Sequence, residues 1–139
     1  VVEYNARFGD PECQAVLSLL DTDLMDIFQA CRNGTLDQVD VRWKPGAACC
    51  LVLASGGYPG SYAKGLPITG LDAAGKTAVV FHAGTARNAA GETVTNGGRV
   101  LGVTAVGSSL EDAIAGAYNA AKEIHFTDMH FRRDIGHAF

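Results

Sequence analysis

The sequence lacks most of the features that classify a protein at a glance. It has no basic excess: eleven Lys and Arg stand against fifteen Asp and Glu, giving a net charge of -4. That balance argues against a general nucleic-acid surface. No apolar run approaches the roughly 20 residues that a membrane-spanning helix needs. The Gly-x-Gly-x-x-Gly dinucleotide fingerprint is missing. Ser55 has no accompanying His-Asp pattern, which removes the nucleophilic-serine reading. The four cysteines, Cys13, Cys31, Cys49 and Cys50, contain no Cys-x-x-Cys spacing. Cys49 and Cys50 are adjacent and would point to opposite faces of a strand, poor geometry for a shared metal. They read as small buried thiols in a reducing compartment. Of the histidines, His130 and His137 sit in the tail, and His125 and His130 are five apart, a poor helical spacing for a joint metal site. The chain has no initiating methionine, so the lack of a visible signal peptide decides nothing.

With 139 residues, 47% of them hydrophobic, the chain has enough apolar material for a core of its own without disulfide staples. Val1 to Tyr4 reads as a short strand, with Glu3 on the face opposite Val2 and Tyr4. Asp10 and Pro11 suit the N-cap and first turn of a helix running to about Leu20. Asp21-Thr22-Asp23 breaks that helix and caps a second one, Leu24 to Asn33, which Gly34 stops. Leu24, Ile27, Phe28 and Cys31 share its apolar face. After Trp43-Lys44-Pro45-Gly46 the character changes, which divides the chain into residues 1–44 and 45–139.

Ala47 to Ala54 is a near-continuous apolar run, as in a buried strand. Ser55 to Gly60 is a turn-rich loop. Short strands are expected at Ile68 to Leu71 and Ala78 to Ala83, with a turn at Asn88 to Gly91. Arg99 to Val106 alternates as a strand. A helix follows, capped by Ser108 or Ser109 and ending near Ile124. The tail from Phe131 allows a last strand up to Ile135. Within it, Arg132 or Arg133 is expected to pair with Asp134 or an upstream carboxylate. The pattern is α+β with a largely antiparallel sheet and one helix in its second part.

The opening run holds the densest chemistry. Glu3 and Asn5 share one face of an extended segment. A carboxylate beside an amide oxygen is a hard-oxygen pair that suits Mg²⁺. Arg7 continues the parity and offers a bidentate cation for a carboxylate or phosphate. Asp10 and Glu12 flank Pro11. The same spacing also fits an exposed strand end and a capped helix. Arg99, following two glycines, could reach a phosphate or form a structural ion pair. His82 either lines a site or makes a structural hydrogen bond.

The segment Arg7-Phe8-Gly9-Asp10-Pro11-Glu12-Cys13-Gln14 resembles the signature of the phosphoribosylamine–glycine ligase (glycinamide ribonucleotide synthetase) family. Leu53 to Gly60, Val80 to Thr85, Thr95 to Leu101 and Arg132 to Gly136 resemble that family's further motifs, in the same order and over essentially the whole chain. The resemblance implies an ATP-grasp ligase of purine biosynthesis, cytoplasmic, that joins glycine to 5-phosphoribosylamine with cleavage of ATP. ATP would first phosphorylate the glycine carboxylate, and the amine would then attack the glycyl phosphate. By the same resemblance Glu3 and Asn5 hold Mg²⁺ or Mn²⁺, and Arg7 is the catalytic cation at the acyl phosphate. Asp10 and Glu12 hold an amino group of one substrate or cap the helix; Arg99 joins them as a substrate-binding candidate on its position after two glycines, not on the resemblance.

The family's nucleotide-binding lysines and glycine-rich flap lie upstream of such a motif. The resemblance therefore implies that residues 1–44 end an ATP-grasp domain. Residues 45–139 would form a small C-terminal domain like a reduced biotin-carboxylase hybrid barrel. The start inside a strand, without methionine, points to a fragment that is inactive alone and needs upstream N-terminal and ATP-grasp domains. The other readings are a non-catalytic binding or assembly module, and a piece of a multifunctional purine-pathway polypeptide.

Overall fold

The computed structural model describes residues 1–2 and 4–136. Glu3 and His137 fall outside them, so the expected place of Glu3 on a strand is not addressed. Val1, Val2 and Tyr4 belong to no strand, and their side chains are almost fully exposed. The first regular element is α1 (Glu12–Leu19), followed by α2 (Leu24–Asn33). The boundaries of α2 are those the sequence predicts, and for the predicted reasons. The Asp23 carboxylate accepts from the Met25 amide at 2.7 Å, and Gly34 closes the helix at φ 67°. Its predicted apolar face is only partly covered, however: Leu24 and Ile27 are half-buried while Phe28 and Cys31 stay exposed.

The core is built on β1 (Ala47–Ala54), which carries the longest apolar run. Then come the short helix α3 (Leu71–Ala74), strands β2 (Val79–His82), β3 (Thr85–Arg87), β4 (Thr93–Thr95) and β5 (Arg99–Gly107), and helix α4 (Leu110–Glu123). Strands β1, β5 and β2 form an antiparallel sheet in the order β1-β5-β2, and β3 pairs with β4 as a separate hairpin. The α+β class with an antiparallel sheet is thus as expected.

Three expectations differ. Leu71 starts α3 rather than ending a strand, because Gly70 takes the left-handed conformation (φ 81°) that leads into the helix. Around it only single bridges form, Pro67 to Val94 and Thr69 to His125. The β3–β4 hairpin was not expected beyond its turn. The tail contributes no described strand; it meets the sheet through the Ala54–His130 bridge.

Register decides the faces. Leu51 pairs with Val103, and Leu53 with Leu101, so these four side chains share the side packed by α4. Ala113, Ala117, Ala120 and Ala121 recur on one stripe of α4, and they and Ile124, just past its end, are essentially fully buried. Burying a leucine- or valine-sized side chain contributes about 1.5–3 kcal/mol. Helix α4 is also well capped, since Ser109 Oγ accepts from the Asp112 amide at 3.1 Å. Helix α1 covers the opposite side of the sheet, against β1 and β5. Only Cys49 of the four cysteines is buried, and Cys31 is exposed, so the uniform burial expected of them does not hold.

Candidate functional site

The antiparallel register puts the end of β1, the end of β2 and the start of β5 at one edge of the sheet: Ala54 pairs with Arg99, and His82 with Leu101. The loops after Ala54, after His82 and before Arg99 therefore leave the sheet together. They are bound to one another by main chain. The Ser55 amide donates to Gly98 O at 2.8 Å, its hydroxyl to Gly97 O at 2.8 Å, and the Gly84 amide to Arg99 O at 2.9 Å. Ser55 is buried and serves this network. Gly84 and Gly97 touch so closely that a Cβ on Gly84 would lie 2.6 Å from Gly97 Cα. A Cβ on Gly98 would collide with the Tyr58 ring. Three separate sequence motifs thus become one glycine-built rim.

The opening run meets this rim through Asp10. Arg99 Nη2 lies 3.2 Å from Asp10 Oδ2, and Arg99 Nη1 donates to Asp10 O at 2.9 Å. Gln14 Nε2 donates to Asp10 Oδ1 at 3.0 Å. Asp10 does not cap α1: the N-cap position is Pro11, with no side-chain cap. The carboxylate has instead been taken by a guanidinium 89 positions away. The sequence offered the substrate and the structural ion pair as alternatives for Arg99, and the structure records the ion pair. Gln14 ends the Arg7–Gln14 motif, and the motif alone assigns it no role. Its Asp10 spacing of i, i+4 is the signal that could have found it.

Arg7 is exposed, and its guanidinium donates to Phe8 O at 3.1 Å. It has no carboxylate partner among the described residues, in contrast to Arg42, Arg99 and Arg132. Asn5 Oδ1 accepts from the Arg7 amide at 3.1 Å, which turns the loop and leaves a second lone pair on that oxygen. Phe8 packs on Phe28 of α2, ring centroids 6.4 Å apart. Glu12, in the first turn of α1, is exposed and folds back over Gly9, without an ion pair among the described residues.

His82 Nδ1 lies 3.0 Å from Thr85 Oγ1, a local bond within the loop that joins β2 to β3. It also borders a cavity between α1 and β2 lined by Cys13, Gln14, Leu17, Ser18 and Phe81. In the tail, Arg132 forms the expected pair with Asp134, at 2.9 and 2.6 Å. That pairing raises the Arg132 pKa above its ordinary value. Burial pushes the Cys49 and Cys50 thiols up, so both are held neutral. Among the described residues no cluster of three His, Cys, Asp or Glu could hold a metal. No helix there is long and apolar enough to cross a membrane. The donors expected for Mg²⁺ are instead one carboxylate and one amide oxygen, a hard set that needs oxygens from other groups to be complete.

Known proteins match over this same ground. Residues 48–138 match the family described as phosphoribosylglycinamide synthetase, C domain. A phosphoribosylamine–glycine ligase of Synechocystis is 54% identical over 139 residues, 99% of this chain and 33% of that protein. A bifunctional purine biosynthetic protein of Dictyostelium discoideum is 51% identical, over 98% of this chain and 17% of that protein. The crystal structure of a phosphoribosylamine–glycine ligase from Thermotoga maritima superposes with a TM-score of 0.76 at 35% identity, over 97% of this chain and 33% of that one. The chain thus spans about a third of the single-function relatives.

Proposed function

Because the chain belongs to the phosphoribosylglycinamide synthetase C-domain family, we propose that it is the C-terminal part of an ATP-dependent ligase that joins glycine to 5-phosphoribosylamine. The products are glycinamide ribonucleotide, ADP and phosphate, and the setting is cytoplasmic purine biosynthesis. In this reading residues 1–44 complete an ATP-grasp domain and residues 45–139 form a small domain beside it. The observation that carries it is the meeting of the Asn5–Glu12 run with the glycine-built rim through Asp10 and Arg99, with the Arg7 guanidinium exposed three residues before that contact.

The chemistry follows from what those side chains offer. Transfer of the γ-phosphoryl group to a glycine carboxylate oxygen releases ADP and gives glycyl phosphate. The amine of phosphoribosylamine then attacks the carbonyl carbon, and phosphate leaves with that oxygen. Negative charge accumulates on the phosphoryl oxygens in the first step and on the carbonyl oxygen in the second. A planar cation such as Arg7, not neutralised by a described carboxylate, stabilises both. Glu12 remains available to hold an amino group, since its carboxylate is not committed to a described cation. Asp10, engaged by Arg99 and Gln14, keeps the loop in place.

Glu3 and Asn5 would hold Mg²⁺ or Mn²⁺; when bound, the ion supplies positive charge against the nucleotide phosphates. The lone pair left on Asn5 Oδ1 fits that role. ATP binding itself needs the nucleotide-binding groups of the remaining two thirds of such an enzyme. The test is ADP release dependent on both glycine and phosphoribosylamine, measured for this chain alone and for the longer protein that contains it. Activity only in the longer protein supports the reading. Equal activity in the isolated chain, or none in either, refutes it.

A further inference from the structure

We infer that Arg99 is a positioning residue, which fastens the loop bearing Asn5 and Arg7 to the sheet so that the Arg7 guanidinium is held at the reacting groups. The inference rests on the ligase reading for its catalytic consequence, and on geometry alone for the fastening.

The anchor is rigid at its base. Arg99 is the first residue of β5, pairs with Ala54 across the sheet, and is followed by the fully buried Val100. Its carbonyl accepts the Gly84 amide at 2.9 Å. The guanidinium then grips Asp10 twice, at the carboxylate and at the main-chain carbonyl. Two contacts in fixed fork geometry orient a chain segment, where one contact would only tether it. Gln14 holds the other carboxylate oxygen, so Asp10 is fixed from β5 and from α1 together. Arg7 lies three residues before Asp10. The remaining recorded side-chain restraints on its loop are the Asn5 turn, the Arg7–Phe8 bond and the Phe8–Phe28 contact. None of these reaches the sheet.

Stability is not what this pair supplies. Its side chains are 44% and 43% exposed, and ion pairs that open to water contribute little to folding. Orientation is a different matter: a misplacement of about 1 Å in a reacting group costs on the order of 100-fold in rate.

The experiment uses the longer enzyme that contains this chain, with the variants Arg99→Gln, Arg99→Lys, Asp10→Ala and the double variant Asp10→Ala/Arg99→Gln. Arg99→Gln is expected to lower kcat about 10- to 100-fold with KM for phosphoribosylamine changed less than about threefold. Arg99→Lys keeps one donor and should recover part of the loss. The double variant should be no slower than the worse single one, because both remove the same fastening. A rise in KM with kcat intact, or additive losses, would mean that Arg99 touches substrate and would overturn the inference.

A second readout needs no activity. In the 139-residue chain, Arg99→Gln should speed hydrogen exchange at the Cys13 amide, which bonds Gly9 O at 3.0 Å, while the amides of α4 keep their protection. Unchanged exchange at Cys13 also overturns it. A longer enzyme lacking ligase activity even in its unaltered form would sink the functional reading, and the exchange result would still decide the fastening.

Discussion

Gly70 and Gly91 have the same φ, 81°, and opposite surroundings. Adding one methyl group to each separates the cost of a backbone conformation from the cost of a collision. At Gly91 a Cβ meets open space. Gly91→Ala should therefore cost only what a left-handed residue costs, about 1–2 kcal/mol. At Gly70 the same methyl would run into the carbonyl oxygen of Glu123, with Ile124 Cα 3.2 Å away. That contact has no flexible side chain to give way. Relief requires moving the end of α4 away from Thr69, which is bonded to His125 in both directions at 2.9 and 3.1 Å. Overpacking adds about 1–3 kcal/mol, and each weakened hydrogen bond about 0.5–1.5 kcal/mol.

Gly70→Ala should then lose roughly 3–8 kcal/mol in all, a large share of the about 5–15 kcal/mol typical of a domain. The assay is urea unfolding followed by far-ultraviolet circular dichroism, with thermal melts alongside. At about 4 °C per kcal/mol for this size, Tm should fall by about 4–8 °C for Gly91→Ala and by at least twice that for Gly70→Ala. Two variants within about 1 kcal/mol of each other would refute the claim that the α4–α3 junction is closed against Gly70.

Other expectations can be checked on the same protein. Iodoacetamide at pH 8 should label exposed Cys31 first, and Cys49 and Cys50 only as the protein unfolds. Their thiol pKa values are raised by burial, so that contribution to stability is complete below the unfolded pKa and is lost as pH rises through the folded one. The Asp112 carboxyl is held below its usual range by hydrogen bonds from Ser108 and Ser109. Its contribution is present above the unfolded value of about 3.9 and is lost as pH falls through the folded one. Asp112→Asn should be less stable than the parent at pH 7, with the gap closing in acid melts. A gap that persists unchanged at low pH would contradict this. Calorimetric titration of the 139-residue chain should show no micromolar Mg²⁺ site, since Glu3 and Asn5 supply only part of a shell; a micromolar heat signal that Asn5→Ala abolishes would count against that.

The parts of the fold that local signals specify were legible in advance. Asp23 and Gly34 mark both ends of α2, Ser109 marks the start of α4, and the apolar run 47–54 is β1 residue for residue. What failed depended on distant partners. A strand exists only where another pairs with it, and nothing in Ile68 to Leu71 tells that single bridges rather than a ladder lie alongside. Strands β3 and β4, three residues each, are too short to show alternation; they are defined by their register, Thr85 to Thr95. Asp10 looked like a cap because its competitor, Arg99, is far away in sequence. The candidate site divides the same way. Residue types at Asn5, Arg7 and Glu12 are readable from the motif, whereas the anchor that joins them to the glycine rim emerges only from tertiary structure.

The most direct test of the proposed ligase follows the glycine carboxylate oxygens. The longer enzyme containing this chain is supplied with ATP, phosphoribosylamine and glycine carrying ¹⁸O in its carboxylate, and the released phosphate is examined by mass spectrometry. Passage through glycyl phosphate predicts one ¹⁸O in each phosphate formed, with formation of glycinamide ribonucleotide. Phosphate without the label, or released without glycine, would contradict the account.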